Sequence, residues 1–124
     1  MNGNSAIIDS NILIYFLIGK VGVQKFFRKY ECAFSFISEL EVLSGANGED
    51  LLKAKNVIAE YRVIEYLPAI RDIVIDIRSK KKIKLADAII AATAIYLKYP
   101  LISSDKGFFG IDGLDFVYHE PGLS

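Results

Sequence analysis

Short apolar runs alternate along this chain with longer segments in which apolar residues recur every three or four positions. The first run, Ala-Ile-Ile at residues 6–8, is typical of a strand that is covered on both faces. Similar runs predict further strands over residues 33–37, 63–66, 100–102 and 114–118. Helical spacing predicts helices over residues 12–17, 21–29, 38–44, 50–61, 68–80 and 85–98. This alternation predicts a three-layer α/β/α fold with a short, mainly parallel sheet of about four or five strands.

Polar residues mark the ends of several predicted elements. Asp9-Ser10-Asn11 follows the first apolar run, and we expect Ser10 or Asn11 to cap the helix after it. Ser38 is followed three positions later by Glu41, which is the spacing of a capping box. Asp9 would then lie at the carboxyl end of a central strand, where open α/β sheets keep their ligand sites.

Length and composition narrow the class of protein. The 124 residues fit a single domain, residues 1–124, and a hydrophobic content of 52% is enough for a proper core. The net charge of zero excludes a strongly basic coat, so nucleic-acid binding would have to come from local patches. One cysteine, Cys32, excludes an internal disulfide framework, and its apolar neighbours predict that it is buried. With no signal peptide and no membrane-spanning run, we expect a soluble cytoplasmic protein.

Four acids lie where a charged side chain is costly. Asp9 and Asp105 each follow a buried strand, and parallel strands place both ends at one edge of the sheet. Asp87 lies near the start of an alanine-rich helix, and Glu41 lies between apolar neighbours. Two unit charges about 5 Å apart repel by roughly 3 kcal/mol at an effective dielectric of 20. A cluster of these acids would therefore need a cation or take up protons.

A hard divalent cation would remove this repulsion. All-oxygen ligands favour Mg²⁺ or Mn²⁺, whereas zinc prefers His and Cys, of which the chain has one each. Such ions, with their waters, can activate a nucleophile and stabilise a phosphoryl transition state, so we expect phosphodiester hydrolysis. Each acid taken alone is more simply explained as a cap or surface group, so the prediction depends on the whole set.

Glu39 competes with Glu41 for a place in this site. Residues two positions apart on a helix point about 200° apart, so one of the two at most can face the other acids. The more apolar neighbours of Glu41 favour it, and Glu39 is better explained as an exposed acid in the first turn.

Four segments resemble the sequence motifs of PIN-domain ribonucleases, and they occur in the family order and spacing. They are residues 7–14, 38–45, 85–94 and 101–108, which together extend over nearly the whole chain. The third is the most specific, and the second has its glutamate four positions before Gly45, which again favours Glu41. In size the chain is also similar to the VapC-type toxins of bacterial and archaeal toxin–antitoxin pairs.

The resemblance implies a PIN-like fold and a Mg²⁺- or Mn²⁺-dependent endoribonuclease that cleaves tRNA, rRNA or mRNA. The residues that it implies as catalytic groups and metal ligands are Asp9, Glu41, Asp87 and Asp105. It also implies homodimers and inhibition by a small antitoxin protein that covers the active-site groove. Ser10 and Ser103 replace the Thr that is more frequent in the family, and each keeps a hydroxyl that can orient a carboxylate or a water.

Several roles stay open at this stage. Asn11 could hold Asp9 in place, and Glu41 could be a metal ligand or the base for the attacking water. The basic clusters that could meet RNA phosphates are Lys25, Arg28 and Lys29, and Lys80, Lys81, Lys82 and Lys84. For each cluster a solvated face is the simpler account. His119 follows the last predicted strand without an evident partner, and we expect it to be structural or exposed.

Two other functions compete with the nuclease. A Mg²⁺-dependent phosphoaspartate protein, either a receiver domain or a haloacid-dehalogenase-like phosphatase, also has an Asp at a strand end. The phosphatase pattern needs a second Asp where this chain has Asn11, and residues 63–66 lack the Asp that a receiver needs. A non-catalytic PIN-like module that binds RNA or protein is the other alternative, and the presence of all four acids argues against it.

Overall fold

A computed structural model describes residues 4–122 and has a parallel β-sheet with helices packed on both faces. Its strands are β1 (Ser5–Ile8), β2 (Glu31–Ser35), β3 (Arg62–Ile64), β4 (Leu101–Ser103) and β5 (Phe116–Tyr118). Its α-helices are α1 (Ser10–Leu17), α2 (Val21–Lys29), α3 (Phe36–Ser44), α4 (Gly48–Ile58), α5 (Arg71–Lys80) and α6 (Leu85–Leu97). Short 3₁₀ turns lie at Pro68–Ile70 and Lys106–Phe108. The predicted three-layer α/β/α class is confirmed.

The sheet has the strand order β3-β2-β1-β4-β5, and every neighbouring pair is parallel. β1 is the central strand: its Ala6 pairs with Cys32 of β2, and its Ile8 pairs with Ile102 of β4. The strand order reverses between β1 and β4, which creates a crevice at their carboxyl ends. Asp9 follows β1 at this point, so the topology places it beside the residues that follow β4.

Each face of the sheet has its own hydrophobic core. Ile7 of β1 packs on the face that is covered by α5 and α6, and Ala6 and Ile8 pack on the opposite face against α1 to α4. All three side chains are fully buried. Burial on both faces is the reason that the strand is a continuous apolar run and not an alternating one.

The cap of α1 differs from the prediction. The helix begins at Ser10, and Asp9 is its N-cap, because the Asp9 carboxylate accepts the Ser10 backbone N–H at 2.8 Å. The expectation that Ser10 or Asn11 would cap the helix was wrong. Their side chains are engaged elsewhere, since Ser10 donates to Glu41 and Asn11 donates to Asp9.

The start of α3 also differs from the prediction. β2 ends at Ser35, where its register with β3 also ends, and the Ser35 hydroxyl caps α3 by accepting the Ile37 N–H at 3.1 Å. The predicted strand over residues 33–37 is therefore confirmed at residues 33–35, whereas its end at Ile37 and the capping box at Ser38 were wrong. Ser38 lies inside the helix, and its buried hydroxyl has no hydrogen-bond partner among the described residues.

The remaining boundaries shift by a few residues. β3 and β5 are shorter than predicted, and Pro68 begins a 3₁₀ turn that precedes α5 and is not part of it. Cys32 is buried as predicted, and burial raises the pKa of its thiol to about 12. His119 is buried against the ring of Phe26, and burial lowers the pKa of its imidazole, which confirms a structural residue. Among residues 4–122, the helices are all too short or too polar to cross a bilayer.

Candidate active site

Asp9 is the most buried acid of the candidate site, with 4% of its surface exposed. Its Oδ1 accepts the backbone N–H of Ser10 at 2.8 Å, and its Oδ2 accepts the hydroxyl of Ser103 at 2.6 Å. The side-chain amide of Asn11 donates to the same Oδ2 at 3.3 Å. These three donors hold the carboxylate at the carboxyl end of β1 in one orientation.

A side-chain network joins the ends of β1 and β4. Asn11 Oδ1 accepts the backbone N–H of Ser104 at 3.1 Å, while its amide also lies 3.3 Å from Ser103 Oγ. The Ser103 hydroxyl accepts the backbone N–H of Asp105 at 3.0 Å and donates to Asp9. One hydroxyl group therefore sets the relative positions of the residues that follow both strands.

Glu41 and Asp87 come to the same place from two helices. Glu41 lies in α3, and its Oε1 accepts the Ser10 hydroxyl at 2.6 Å. Asp87 lies in the first turn of α6. An open cavity of about 360 Å³ is lined by all four predicted acids, which are Asp9, Glu41, Asp87 and Asp105. The fold thus brings these side chains together from four separate segments, as the sequence predicted, while their chemical roles stay predictions.

The acids of this cavity affect one another. Burial, followed by smaller contributions from the charges of Asp87 and Glu41, raises the pKa of Asp9 from its ordinary value of 3.8 to about 6, although its hydrogen bond with Ser103 opposes the shift. Burial also raises the pKa of Asp87, and the negative charges of Asp105 and Glu41 add to this effect. The site therefore holds more negative charge than the protein stabilises by itself.

This arrangement fits a hard divalent cation that keeps part of its hydration shell. The donors are carboxylate oxygens, which Mg²⁺ and Mn²⁺ prefer. Within residues 4–122, no three acidic, His or Cys side chains lie close enough to enclose an ion by themselves. Mg²⁺ needs only one or two protein carboxylates because waters fill its other positions, so widely spaced acids suit it. Bound there, the ion would also offset the burial and the smaller repulsion that together raise the pKa values of Asp9 and Asp87.

Comparison with known proteins identifies the family of this fold. The model of the PIN domain matches residues 6–114. The chain belongs to the PIN-domain family. The resemblance of the four motifs to PIN-domain proteins is thereby confirmed, and no match is found among curated proteins.

Several solved structures are similar to this PIN domain over most of its length. A chain of a toxin–antitoxin complex from Klebsiella pneumoniae is 30% identical, with a TM-score of 0.80 over 90% of this chain and 95% of that one. A chain of VapBC2 from Rickettsia felis, bound to a promoter DNA fragment, is 16% identical, with a TM-score of 0.81 and coverage of 92% and 98%. FitAcB from Neisseria gonorrhoeae is 21% identical, with a TM-score of 0.77 and coverage of 92% and 96%.

The two glutamates of α3 line different cavities. Glu41 lines the cavity, whereas Glu39 lines a separate depression beside Lys55 of α4 and is partly buried there. The expectation that Glu39 would be exposed was wrong, because α4 packs beside this face of α3. The apolar neighbours of Glu41 in sequence also did not bury it, since it is exposed at the rim of the cavity.

Lys84 is the cation that lines this cavity, and the sequence had indicated it only as one member of a basic cluster. It is the N-cap residue of α6, three positions before Asp87, and its charge lowers the pKa of that acid. One signal could have identified it: a lysine three residues before a partly buried helical acid lies about one turn away.

A second cavity of about 360 Å³ lies next to the acids. It is bounded by α1, α3 and α4, and it shares Ile14 and Glu41 with the acidic cavity. Its apolar residues include Leu17, Ile18 and Val42, and Ile18 is 65% exposed. An apolar groove therefore leads up to the acidic cavity, and a partner seated in it would lie against the acids.

Proposed function

We propose that this PIN domain is a metal-dependent endoribonuclease that hydrolyses RNA phosphodiester bonds as the toxin of a type II toxin–antitoxin system. The observation that carries the proposal is the meeting of Asp9, Glu41, Asp87 and Asp105 around one open cavity at the switch point of the sheet. The membership of the PIN-domain family supports the nuclease part. The similarity to a chain of a toxin–antitoxin complex supports the biological role.

Some residues of the cavity would hold the metal, and others orient the carboxylate of Asp9. We assign the metal to Asp9, Asp87 and Asp105, either directly or through water, with Mg²⁺ or Mn²⁺ as the ion. When bound, the ion would lower the pKa of a water and offset negative charge on the phosphoryl group. Ser103 and Asn11 keep the Asp9 carboxylate in place through their hydrogen bonds.

Glu41 has two possible roles in the same cavity. Its Oε1 accepts the Ser10 hydroxyl, which leaves Oε2 without a protein donor among the described residues. That oxygen could ligate the metal or accept a proton from the attacking water. The exposure of Glu41 at the rim suits either role, because water and an RNA strand could both approach it from that side.

The apolar groove beside the acids supports a protein partner. An amphipathic segment of a small antitoxin could place its apolar side chains along Leu17, Ile18 and Val42. Because this groove shares Glu41 with the acidic cavity, the bound segment would cover the acids and prevent RNA from entering. We place this chemistry in the cytoplasm, where RNA and an antitoxin would meet. A homodimer stays a prediction from the family resemblance.

Cleavage of labelled RNA tests the proposal. The purified chain should cut tRNA, rRNA or mRNA when Mg²⁺ or Mn²⁺ is added and should stop when EDTA is added. Asp9→Asn keeps the shape and capping ability of the side chain, so loss of cleavage in this variant would reflect the missing charge.

Glu39→Gln is the matched control, because it neutralises an acid of α3 that lines a different depression. It should cleave like the wild type. Equal background cleavage by the wild type and Asp9→Asn would instead favour the non-catalytic binding module, and labelling of Asp9 by a phosphoryl donor would favour the phosphoaspartate alternative.

A further inference from the structure

The connection between α5 and α6 holds the densest positive charge of the chain. Five of the 15 basic residues fall within seven positions, with no acid between them: Arg78, Lys80, Lys81, Lys82 and Lys84. Because the whole chain has a net charge of zero, this segment is a strong local departure from the average. We call residues 78–84 the basic loop.

Two of these five charges, those of Lys81 and Lys82, are available to a ligand. Lys80 pairs with Asp76 at 3.3 Å, and the Arg78 side chain donates to the backbone carbonyl of Ile83 at 3.2 Å. Lys81 and Lys82 make no ion pair with any acid of residues 4–122. The loop borders an open depression of about 560 Å³, which is lined by residues 78–83. Arg78 thus holds the loop in place while two lysines stay unpaired beside an open surface.

The basic loop leads directly into the acidic cavity. Lys84 lines that cavity, and Lys82 is two residues earlier, which places it at most about 7 Å away along the chain. α6 begins here and runs back toward the start of β4, so the loop lies at the same edge of the sheet as Asp9. A strand of RNA in the cavity would therefore pass over the loop within a short distance.

The last turn of α2, with Arg28 and Lys29 of the other basic cluster, lies at the opposite edge. Lys29 is the last residue of α2, and its backbone carbonyl accepts the side-chain amide of Asn4, which precedes β1. The carboxyl end of α2 is therefore beside the start of β1, whereas the acids follow its end. An RNA strand would have to cross the length of the sheet to touch both.

We propose that Lys81 and Lys82 bind backbone phosphates of a single RNA strand next to the scissile bond. This inference rests on the proposed nuclease function. Four carboxylates repel RNA, and the neutral surface offers little general attraction, so a local cationic contact is needed to hold the strand. Lysines that contact phosphates carry no base preference, so the loop adds affinity and position and not sequence specificity.

Binding of a fluorescent single-stranded RNA at several salt concentrations tests this inference. The variants are made in the Asp9→Asn background, so that the RNA stays intact. Lys81→Ala/Lys82→Ala should weaken binding at low salt about equally for unrelated sequences. It should also lower the slope of log affinity against log salt by about 1.4, because each phosphate contact on a single strand contributes about 0.7. Lys81→Arg/Lys82→Arg keeps both charges and should restore the slope.

Arg28→Ala/Lys29→Ala is the charge-matched control, because both residues are exposed in the last turn of α2, and its slope should equal that of the parent. An unchanged slope in the loop variant overturns the inference. So does an equal loss in the control, because the effect would then come from net charge and not from position. Failure of the nuclease proposal is seen separately: the wild type would cleave no RNA with Mg²⁺ or Mn²⁺, while the loop variant would still lose its salt-dependent binding.

Discussion

The hydroxyl of Ser103 donates to Oδ2 of Asp9 at 2.6 Å, although 94 positions separate the two residues in the chain. The contact exists because β1 and β4 are paired in parallel and both end at the same edge of the sheet. Ser103 also accepts the N–H of Asp105, so it positions two acids of the cavity at once. A residue that touches no substrate in the proposed mechanism should therefore affect the chemistry strongly.

Replacing Ser103 with alanine should lower metal-dependent RNA cleavage by roughly 10–100-fold, the usual cost of losing a partner that orients a metal ligand. The Asp9 carboxylate loses its shortest hydrogen bond, and the pKa of Asp9 should rise further. Initial rates at several Mn²⁺ concentrations measure the effect. Ser103→Thr keeps the hydroxyl and should cleave like the wild type. If Ser103→Ala also cleaves like the wild type, the hydroxyl does not orient Asp9 for catalysis.

The two glutamates of α3 should behave in opposite ways. Glu41→Gln removes a charge from the acidic cavity and should lower the cleavage rate by at least about 100-fold, the lower end for a general base. Glu39→Gln is the same substitution on the same helix, but Glu39 lines a different depression. The cleavage rate of this variant should match that of the wild type. A larger loss in Glu39→Gln than in Glu41→Gln would show that the wrong glutamate has been assigned.

The metal-free protein should become less stable as the pH rises from about 4 to about 6. The folded protein binds a proton at Asp9 more tightly than the unfolded chain, since the pKa of this acid is about 6 in the fold against an ordinary value of 3.8. Folding is then penalised wherever Asp9 must be charged. At a pH above both pKa values, the full cost to the free energy of folding is roughly 3 kcal/mol, at ~1.36 kcal/mol per pKa unit.

Asp9→Asn isolates this contribution from those of other acids. Its free energy of unfolding, relative to the wild type, should rise by roughly 2 kcal/mol between pH 4 and pH 7 in EDTA, because part of the penalty is already present at pH 4. Urea unfolding followed by circular dichroism measures the difference. Saturating Mn²⁺ should stabilise the wild type at pH 7 more than it stabilises the variant. A constant difference across this pH range would mean that Asp9 does not titrate as proposed.

Asn11→Asp should destabilise the metal-free protein at pH 7 by about 1–3 kcal/mol, the cost of leaving a buried group without its partner. The amide that donates to Asp9 Oδ2 at 3.3 Å is replaced by an oxygen, so two carboxylates would face each other. Acidification to pH 5 should recover part of the loss, because protonation restores a donor. Thermal melts at the two pH values measure it, and equal losses at both would contradict this electrostatic cause.

Much of this fold could be predicted from local pattern. The run Ala6-Ile7-Ile8 indicated the central strand, because a short run of β-branched, apolar residues is typical of a strand that is covered on both faces. Gly45 marked the end of α3, where it is the C-cap residue. The convergence of Asp9 and Asp105 followed from the parallel topology that alternating strands and helices imply.

The caps could not be predicted, because they depend on tertiary contacts. Phe34 and Phe36 alternate like residues of a strand, yet β2 ends with its partner β3, and Ser35 becomes the cap of α3. Likewise Ser10 has the right chemistry for a cap, but its hydroxyl donates a hydrogen bond to Glu41, which lies 31 positions away in the sequence. Local sequence carries no information about either contact.

Manganese binding tests the central claim most directly, because it needs no RNA and no turnover. Electron paramagnetic resonance of free Mn²⁺ should show that the wild-type chain binds the ion, and that Asp9→Asn, Asp87→Asn and Asp105→Asn each weaken binding by at least about 10-fold. Glu39→Gln should bind like the wild type. Binding that is absent in the wild type, or unchanged in all three aspartate variants, would contradict a shared metal site in the cavity.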